Sequence, residues 1–314
     1  MAVSTVSCDP VVVGRFAPSP SGRLHIGNIF SFLITYLQAM QAGGACVLRI
    51  EDIDPDRSKQ CHIDQILRDL TWFGFEWEGE VLYQSKRTDM YAAALEELRQ
   101  RDLVYPCFCS RRDLHVASAV HFGDEFVYPN TCRYLSREDR TAKRKDKIPA
   151  LRLKVDGLPR VFDDAFQGHK SYDLLSCSGD FVLRRSDGVF AYQLAVVVDD
   201  AASGVTSVVR GMDLITSTPR QIYLQELLGY PHPTYAHVPV IVDAEGRKLS
   251  KRIHDASLEF LIDEAHHSPE EVIGMVAYRT GLIDVDEACS LDELVRGADL
   301  SRLRGVEHIA WETD

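Results

Sequence analysis

Residues 11–40, VVVGRFAPSPSGRLHIGNIFSFLITYLQAM, decide how the rest of the chain is read. Val11, Val12 and Val13 form an apolar run that predicts a buried first strand. A loop rich in Gly, Pro and Ser follows from Gly14 to Gly22. His25, Gly27 and Asn28 stand where a helix should begin, and Ile29 to Met40 predicts that helix. Strand, tight loop and helix N-terminus together make a phosphate site. The first helical turn has unpaired N–H groups, and the helix dipole places its positive end there. Small residues let a nucleotide approach the backbone. The stretch contains neither G-x-G-x-x-G nor G-x-x-x-x-G-K-[ST], so it is neither a dinucleotide fingerprint nor a P-loop.

Outward from this stretch, Ala45 to Ile50 (ACVLRI) predicts a second buried strand that runs into Glu51-Asp52-Ile53-Asp54-Pro55. Ligands of open parallel sheets bind at the carboxyl ends of the strands. Glu51, the first polar residue after the strand, is therefore a candidate substrate contact, whereas Asp54 and Asp56 read as a solvated acidic turn. Residues 58–75 (Ile63, Ile66, Leu67, Leu70) and Thr88 to Arg101 (Met90, Ala94, Leu95, Leu98) have the period of packing helices. Trp72, Phe73, Phe75 and Trp77 are expected in the core or a hairpin.

Further along, YQLAVVVDD from Tyr192 predicts a buried helix or strand, and Ser207 to Asp213 a strand ending in charge. These place the Tyr192 hydroxyl and the Arg210 fork, which matches a carboxylate, at the ligand edge. Thr216 to Leu228 predicts a helix and Val238 to Val242 the last buried strand, followed at once by GRKLSKR, residues 246–252.

Between the two halves the texture changes. Cys107-Phe-Cys109 and Tyr128-Pro-Asn-Thr-Cys132 bring three cysteines into a short interval, and zinc takes four donors in a tetrahedron. Chemistry alone nominates His115 or His121 as the fourth donor. Residues 133–147 are the most basic run in the chain and predict a solvated loop, with RNA phosphates as the sharper alternative. Short strands over 150–155, 160–163 and 181–183 suggest a small α+β insertion from about residue 105 to 185. From 254 to 314 the pattern is helical (258–265, 269–280, 291–297), with His266 and His267 on the surface.

Composition bounds the function. The 314 residues are 45% hydrophobic and 26% charged, ordinary for a soluble globular chain. The N-terminus lacks a basic n-region and a long apolar segment, and no apolar run is long enough to span a bilayer, so a cytoplasmic protein without membrane partners is expected. A net charge of −12 argues against a surface that binds nucleic acid all over, though not against a local basic groove. Eight scattered cysteines fit free thiols or metal ligands better than a disulfide framework.

Arg15-Phe-Ala-Pro-Ser19-Pro-Ser-Gly22 with His25-Ile-Gly-Asn28, the R-I-E-D-x-D segment at 49–54, and Lys248-Leu-Ser-Lys251-Arg252 together resemble class I aminoacyl-tRNA synthetases of the glutamyl type. The resemblance covers essentially the whole chain. It implies an α/β fold, with a class I synthetase-type Rossmann-like parallel sheet, a zinc-containing α+β insertion, a C-terminal helical segment and no anticodon-binding domain. The expected divisions are 1–104, 105–185, 186–253 and 254–314. About sixty residues after Arg252 are too few for an anticodon-binding domain of ordinary size. This shortness and the C-x-C…Y-x-x-x-C spacing resemble the glutamyl-Q tRNA(Asp) synthetase family. Its members activate L-glutamate with ATP without tRNA, then attach it to queuosine in the anticodon of tRNA(Asp).

The resemblance also implies roles. Arg15, Phe16, Ala17, Pro18, Ser19, Glu51, Tyr192 and Arg210 would bind glutamate. His25, Gly27, Asn28, Lys248, Ser250 and Lys251 would bind ATP with Mg²⁺, with His25 and Lys251 catalytic. Cys107, Cys109, Tyr128 and Cys132 would hold one structural zinc, with Tyr128 in place of a histidine. A monomer is expected. Two other readings remain: a truncated ligase charging the 3′ end of tRNA(Glu), and a non-catalytic zinc-containing RNA-binding protein of the same fold.

Overall fold

The computed structural model describes residues 11–110, 113, 127–243, 245–248 and 257–311. Only the last residue of the valine run, Val13, joins the first strand. β1 spans Val13–Phe16, and Val11 ahead of it is 63% exposed. The strand lies further along because these residues find a parallel partner in β2 (Ala45–Ile50), with Val13 opposite Ala45 and Phe16 opposite Leu48. Arg15 thus leaves the expected loop and becomes a buried strand residue. The helix α1 (Ile26–Gln41) begins at Ile26 rather than Ile29. His25 caps it: Nδ1 accepts the Gly27 N–H at 3.1 Å, and Asn28 Oδ1 accepts the His25 N–H at 3.1 Å.

The strand β3 (Leu82–Tyr83) extends β2 in parallel. The helices α2 (Gln60–Trp72) and α3 (Thr88–Gln100) follow the expected period, with one shift. Met90 is exposed and Tyr91 takes the inward place, where its hydroxyl donates to Asp199 at 2.8 Å.

Residues 105–185 divide between two sheets. β4 (Val104–Cys107), β5 (Ala150–Leu153) and β8 (Val182–Arg184) form an antiparallel sheet, with short α5 (Leu174–Cys177) nearby in sequence. β6 (Pro159–Asp164) and β7 (Gly168–Asp173) instead join the second parallel sheet, ordered β7-β6-β10-β9, with β9 at Ser207–Gly211 and β10 at Thr234–Val238. β6, β10 and β9 are mutually parallel and β7 is an antiparallel edge. β9 also lies beside β1, since the Thr206 N–H donates to Val13 O at 3.0 Å. The helices α6 (Tyr192–Ala202) and α7 (Ser217–Leu228) flank β9 in sequence, giving the Rossmann-like α/β arrangement.

The expected strand over 238–242 is two strands. Pro239 has no N–H to donate and separates β10 from β11 (Val240–Val242). β11 pairs in parallel with β12 (His308–Ala310), a strand absent from the helical expectation for the last segment. The basic run forms a helix, α4 (Arg137–Asp146), not a loop. Ser136 caps it, accepting the Asp139 N–H at 3.0 Å, and it buries no residue. Where a helix is expected over 258–265, residues Glu259–Glu264 make a π-helical segment, and α8 (Pro269–Arg279) and α9 (Leu291–Gly297) follow. Among the described residues no helix is long and apolar enough to cross a membrane.

A charge cluster sits at the centre. The Arg49 side chain is fully buried; it donates through Nη1 to Asp200 Oδ1 at 2.6 Å and through Nη2 to Glu51 Oε1 at 3.3 Å. The neighbouring Asp199 accepts from Gln84 Nε2 at 2.9 Å, Arg87 Nε at 2.7 Å and the Tyr91 hydroxyl. β2, α3 and α6 are therefore tied by ionic bonds as well as packing. Removing one partner of a buried ion pair strands the other without compensation. Arg49→Met is expected to cost about 3–5 kcal/mol in urea unfolding; a loss below about 1 kcal/mol would show that the cluster is dispensable to the fold.

Candidate active site

The carboxyl ends of β1, β2 and β9 open onto a cleft of about 410 Å³. Of the residues singled out from sequence, Arg15, Ala17, Pro18, Ser19, His25, Gly27, Asn28, Glu51, Tyr192, Arg210 and Lys248 line it. Phe16 does not: its fully buried ring packs in the core against Phe32 and Phe75, with centroids 5.5 and 5.3 Å away. Ser250 and Lys251 lie outside the described residues, as do His115 and His121.

One end of the cleft carries both signs of charge. Arg15 donates through Nη1 to Val209 O at 2.6 Å and lies 3.9 Å from Asp200. Arg210 donates to the Gln221 amide oxygen at 2.8 Å, Thr218 Oγ1 at 2.7 Å and His237 Nε2 at 3.0 Å, with the Tyr192 hydroxyl 3.5 Å away. Opposing them is Glu51. Its N–H donates to Pro18 O at 2.9 Å, and the Ser19 hydroxyl donates to its carboxylate at 3.4 Å. Burial pushes the Glu51 carboxyl above its usual range, against the pull of Arg49 and Arg15. Two guanidiniums and a carboxylate around one space suit a ligand with anionic groups and an ammonium.

The other end is the start of α1. Here Gly27 lies close under the capping ring: a Cβ would stand 3.1 Å from the His25 imidazole, which would have to shift by a few tenths of an ångström. Asn28 spends its side-chain oxygen on the helix cap. Both flanks of the lysine segment reach this end. Lys248 bridges to Val242 and sets Nζ 2.5 Å from Asp213 Oδ2, while Ser257 bridges to His25.

Remote from the cleft, Cys107, Cys109 and Cys132 converge with their sulfurs within 4.8 Å of one another. The Tyr128 hydroxyl lies 3.3 Å from Cys107 Sγ and 3.7 Å from Cys109 Sγ, and Cys109 Sγ is 3.6 Å from Cys132 Sγ. A tetrahedral zinc with Zn–S near 2.3 Å sets its ligand atoms about 3.8 Å apart, so these four donors fit one. The Arg152 guanidinium lies 3.7 Å from the Tyr128 ring centroid, a cation beside groups that bind metal as anions. Gly179, at φ +63°, allows this packing: a Cβ there would lie 2.4 Å from Tyr128 O.

Sequence reasoning overlooked the partners that hold Arg210. Asp164, His237, Thr218 and Gln221 are all buried. The available signal was a histidine inside the apolar run TYAHV (234–238), between Pro233 and Pro239. The ionic cluster of Arg49, Asp199 and Asp200 was overlooked as well: Arg49 was read only as the first residue of the R-I-E-D-x-D segment, and the two aspartates only as the end of an apolar run.

Residues 11–308 match the family model of class I tRNA synthetases (E and Q), catalytic domain. The glutamyl-Q tRNA(Asp) synthetase of Nitratidesulfovibrio vulgaris is 45% identical over 284 residues, 87% of this chain and 87% of its own. That of Symbiobacterium thermophilum is 44% identical over 305 residues, 93% of this chain and 94% of its own. The crystal structure of a glutamate-tRNA synthetase from Elizabethkingia anophelis superposes with a TM-score of 0.81 at 27% identity, over 96% of this chain and 68% of its own.

The buried histidine beside Arg210 makes stability depend on pH. Burial pushes His237 down to about 4; Asp164 pulls upward, while Arg210 and Arg15 add to the downward shift. An unfolded histidine titrates near 6.5, so between about pH 6.5 and 4 the unfolded chain takes up a proton that the folded chain refuses. Stability is lost as pH falls through that window, and this group has no effect above it. In urea unfolding, the stability gap between wild type and His237→Gln is expected to narrow by about 2 kcal/mol from pH 7.5 to pH 5. A constant gap would refute a neutral buried imidazole.

Proposed function

The chain belongs to the class I glutamyl- and glutaminyl-type tRNA synthetase family and, within it, to the glutamyl-Q tRNA(Asp) synthetases. From that premise we propose that it activates L-glutamate with ATP in the absence of tRNA and transfers it to queuosine in the anticodon of tRNA(Asp), as a cytoplasmic enzyme. The observation that carries the reading is one cleft that sets Arg15, Arg210 and Glu51 around one end, next to a capped helix N-terminus.

Arg15 and Arg210 pair with the two carboxylates of glutamate. Glu51 and Ser19 receive its ammonium, and Tyr192 adds a hydrogen bond. The backbone from Ala17 to Ser19 shapes the wall. ATP, with Mg²⁺, lies toward His25, Gly27 and Asn28, and Lys248, Ser250 and Lys251 come from the segment after β11. The reacting carboxylate is ionised at neutral pH and needs no base. Its oxygen forms a bond to the α-phosphorus of ATP as the bond to pyrophosphate breaks. Catalysis is alignment and charge stabilisation, with Lys251 on the phosphates and the positive end of the α1 dipole facing the same charge. A queuosine hydroxyl then attacks the carbonyl of the adenylate and AMP departs. Cys107, Cys109, Tyr128 and Cys132 hold a zinc that fixes the antiparallel sheet and the start of the basic α4 helix as an RNA-binding unit.

Glutamate-dependent ATP–pyrophosphate exchange without RNA is the expected activity, and it should fall about 100-fold or more in Lys251→Ala with the fold intact. Labelled glutamate is expected on tRNA(Asp) containing queuosine and not on tRNA(Asp) lacking it; label on the 3′ end of tRNA(Glu) instead would overturn the assignment. Metal analysis should give one zinc per chain and a loss in Cys107→Ser, and unchanged content would remove that residue from the ligand set.

A further inference from the structure

Three arginines line the cleft, and they differ in what neutralises them. Arg23 pairs with Asp69 and Asp263, and Arg15 lies near Asp200. Arg210 meets no carboxylate among the described residues. All its partners are uncharged: the His237 ring, the Gln221 amide, and the Thr218 and Tyr192 hydroxyls.

The strand order explains how. Arg210 on β9 stands directly opposite His237 on β10, and Asp164 ends the next strand, β6. Asp164 Oδ2 is 2.5 Å from His237 Nδ1. Asp164 Oδ1 accepts the backbone N–H groups of His237, Phe166 and Gln167 at 3.0, 3.1 and 2.9 Å. A carboxylate can only accept, so Nδ1 carries the proton and Nε2 is bare. That bare nitrogen takes the Arg210 Nε–H, and the Thr218 hydroxyl lies 3.2 Å away. The charged and titratable groups facing the imidazole are Asp164, Arg210, Arg15 and, stacked on its own strand, Tyr235.

We propose that Asp164 and His237 are a positioning pair that holds Arg210 by a neutral acceptor, leaving its full charge for a substrate carboxylate. A carboxylate in the place of His237 would fix the guanidinium equally well but would cancel the charge. A protonated imidazole would repel it. The pair supplies orientation through an uncharged ring and keeps its own carboxylate one imidazole away from the guanidinium, and its role rests on the adenylation reading above.

Asp164→Asn tests it with almost no change of shape. The amide oxygen keeps the three backbone bonds, while the amide NH₂ turns toward Nδ1. Nδ1 must then accept, and the proton moves to Nε2, against the Arg210 Nε–H. Long-range ¹⁵N–¹H correlation on the free protein is expected to show His237 protonated on Nδ1 in wild type and on Nε2 in the variant. In exchange assays the KM for glutamate is expected to rise about 10- to 100-fold, with the KM for ATP within about twofold. A wild-type proton on Nε2, an unchanged KM for glutamate, or equal rises for both substrates would overturn the positioning role. The tautomer is read without substrate, so Nδ1 protonation in a wild type devoid of exchange would overturn the adenylation reading instead.

Discussion

Arg49 is a positive charge without solvent, and much of the fold is arranged around it. Removing such a group from water costs several kcal/mol unless carboxylates surround it. Here Asp199, Asp200 and Glu51 do so, drawn from α6 and from the end of its own strand. Asp199 then gathers Arg87, Gln84 and Tyr91, and Asp200 reaches toward Arg15. Structure and site thereby share groups. Glu51 is held two residues beyond Arg49 by the same guanidinium that locks β2 to α6. The anionic side of the ligand space is thus a direct extension of the core and not of a mobile loop.

The cleft's other side follows a similar economy. His25 and Asn28 cap α1 with their side chains, so residues assigned to the nucleotide first secure the helix whose dipole it would meet. The cap takes up the Gly27 N–H, and the Asn28 and Ile29 N–H groups return to the His25 carbonyl, so this end offers the helix dipole more than a set of free amides. Gly27 leaves room for the capping imidazole that lies across it. The signature is therefore read twice, once as a folding signal and once as chemistry.

Much of this was legible from residues 11–52. β2 was read to its limits because ACVLRI is apolar and bounded by glycine and carboxylates. Glu51, Tyr192 and Arg210 were read correctly as lying at one edge, since polar residues at the ends of apolar runs have few other places to go. Phe16 was read as a ligand contact together with its motif neighbours, but its ring turns inward into the core. β10 was overlooked because five residues framed by prolines look like a loop, although pairing on both sides makes it a central strand. His237 and Asp164 were lost with it, since their meaning arises only from the lateral order of strands distant in sequence. The basic helix α4 lacks any apolar period and owes its existence to its Ser136 cap and to charges placed favourably for the dipole.

The parallel pairing of β11 with β12 has a bearing on how the molecule is made. Val240 and Ile241 line the cleft and Val242 precedes the lysine segment, yet their strand partner is His308–Ala310. Trp311, almost wholly buried, closes the pair by donating its N–H to Val242 O at 2.8 Å. A strand near residue 240 must therefore wait for residues synthesised well after it. Contacts this far apart in sequence are slow to form, because the entropy of loop closure is spent before they can repay it. During synthesis, the side of the cleft that carries Arg15, Glu51 and Arg210, built on β1, β2 and β9, can form while this wall is still missing. The site is thus completed only when the last strand docks.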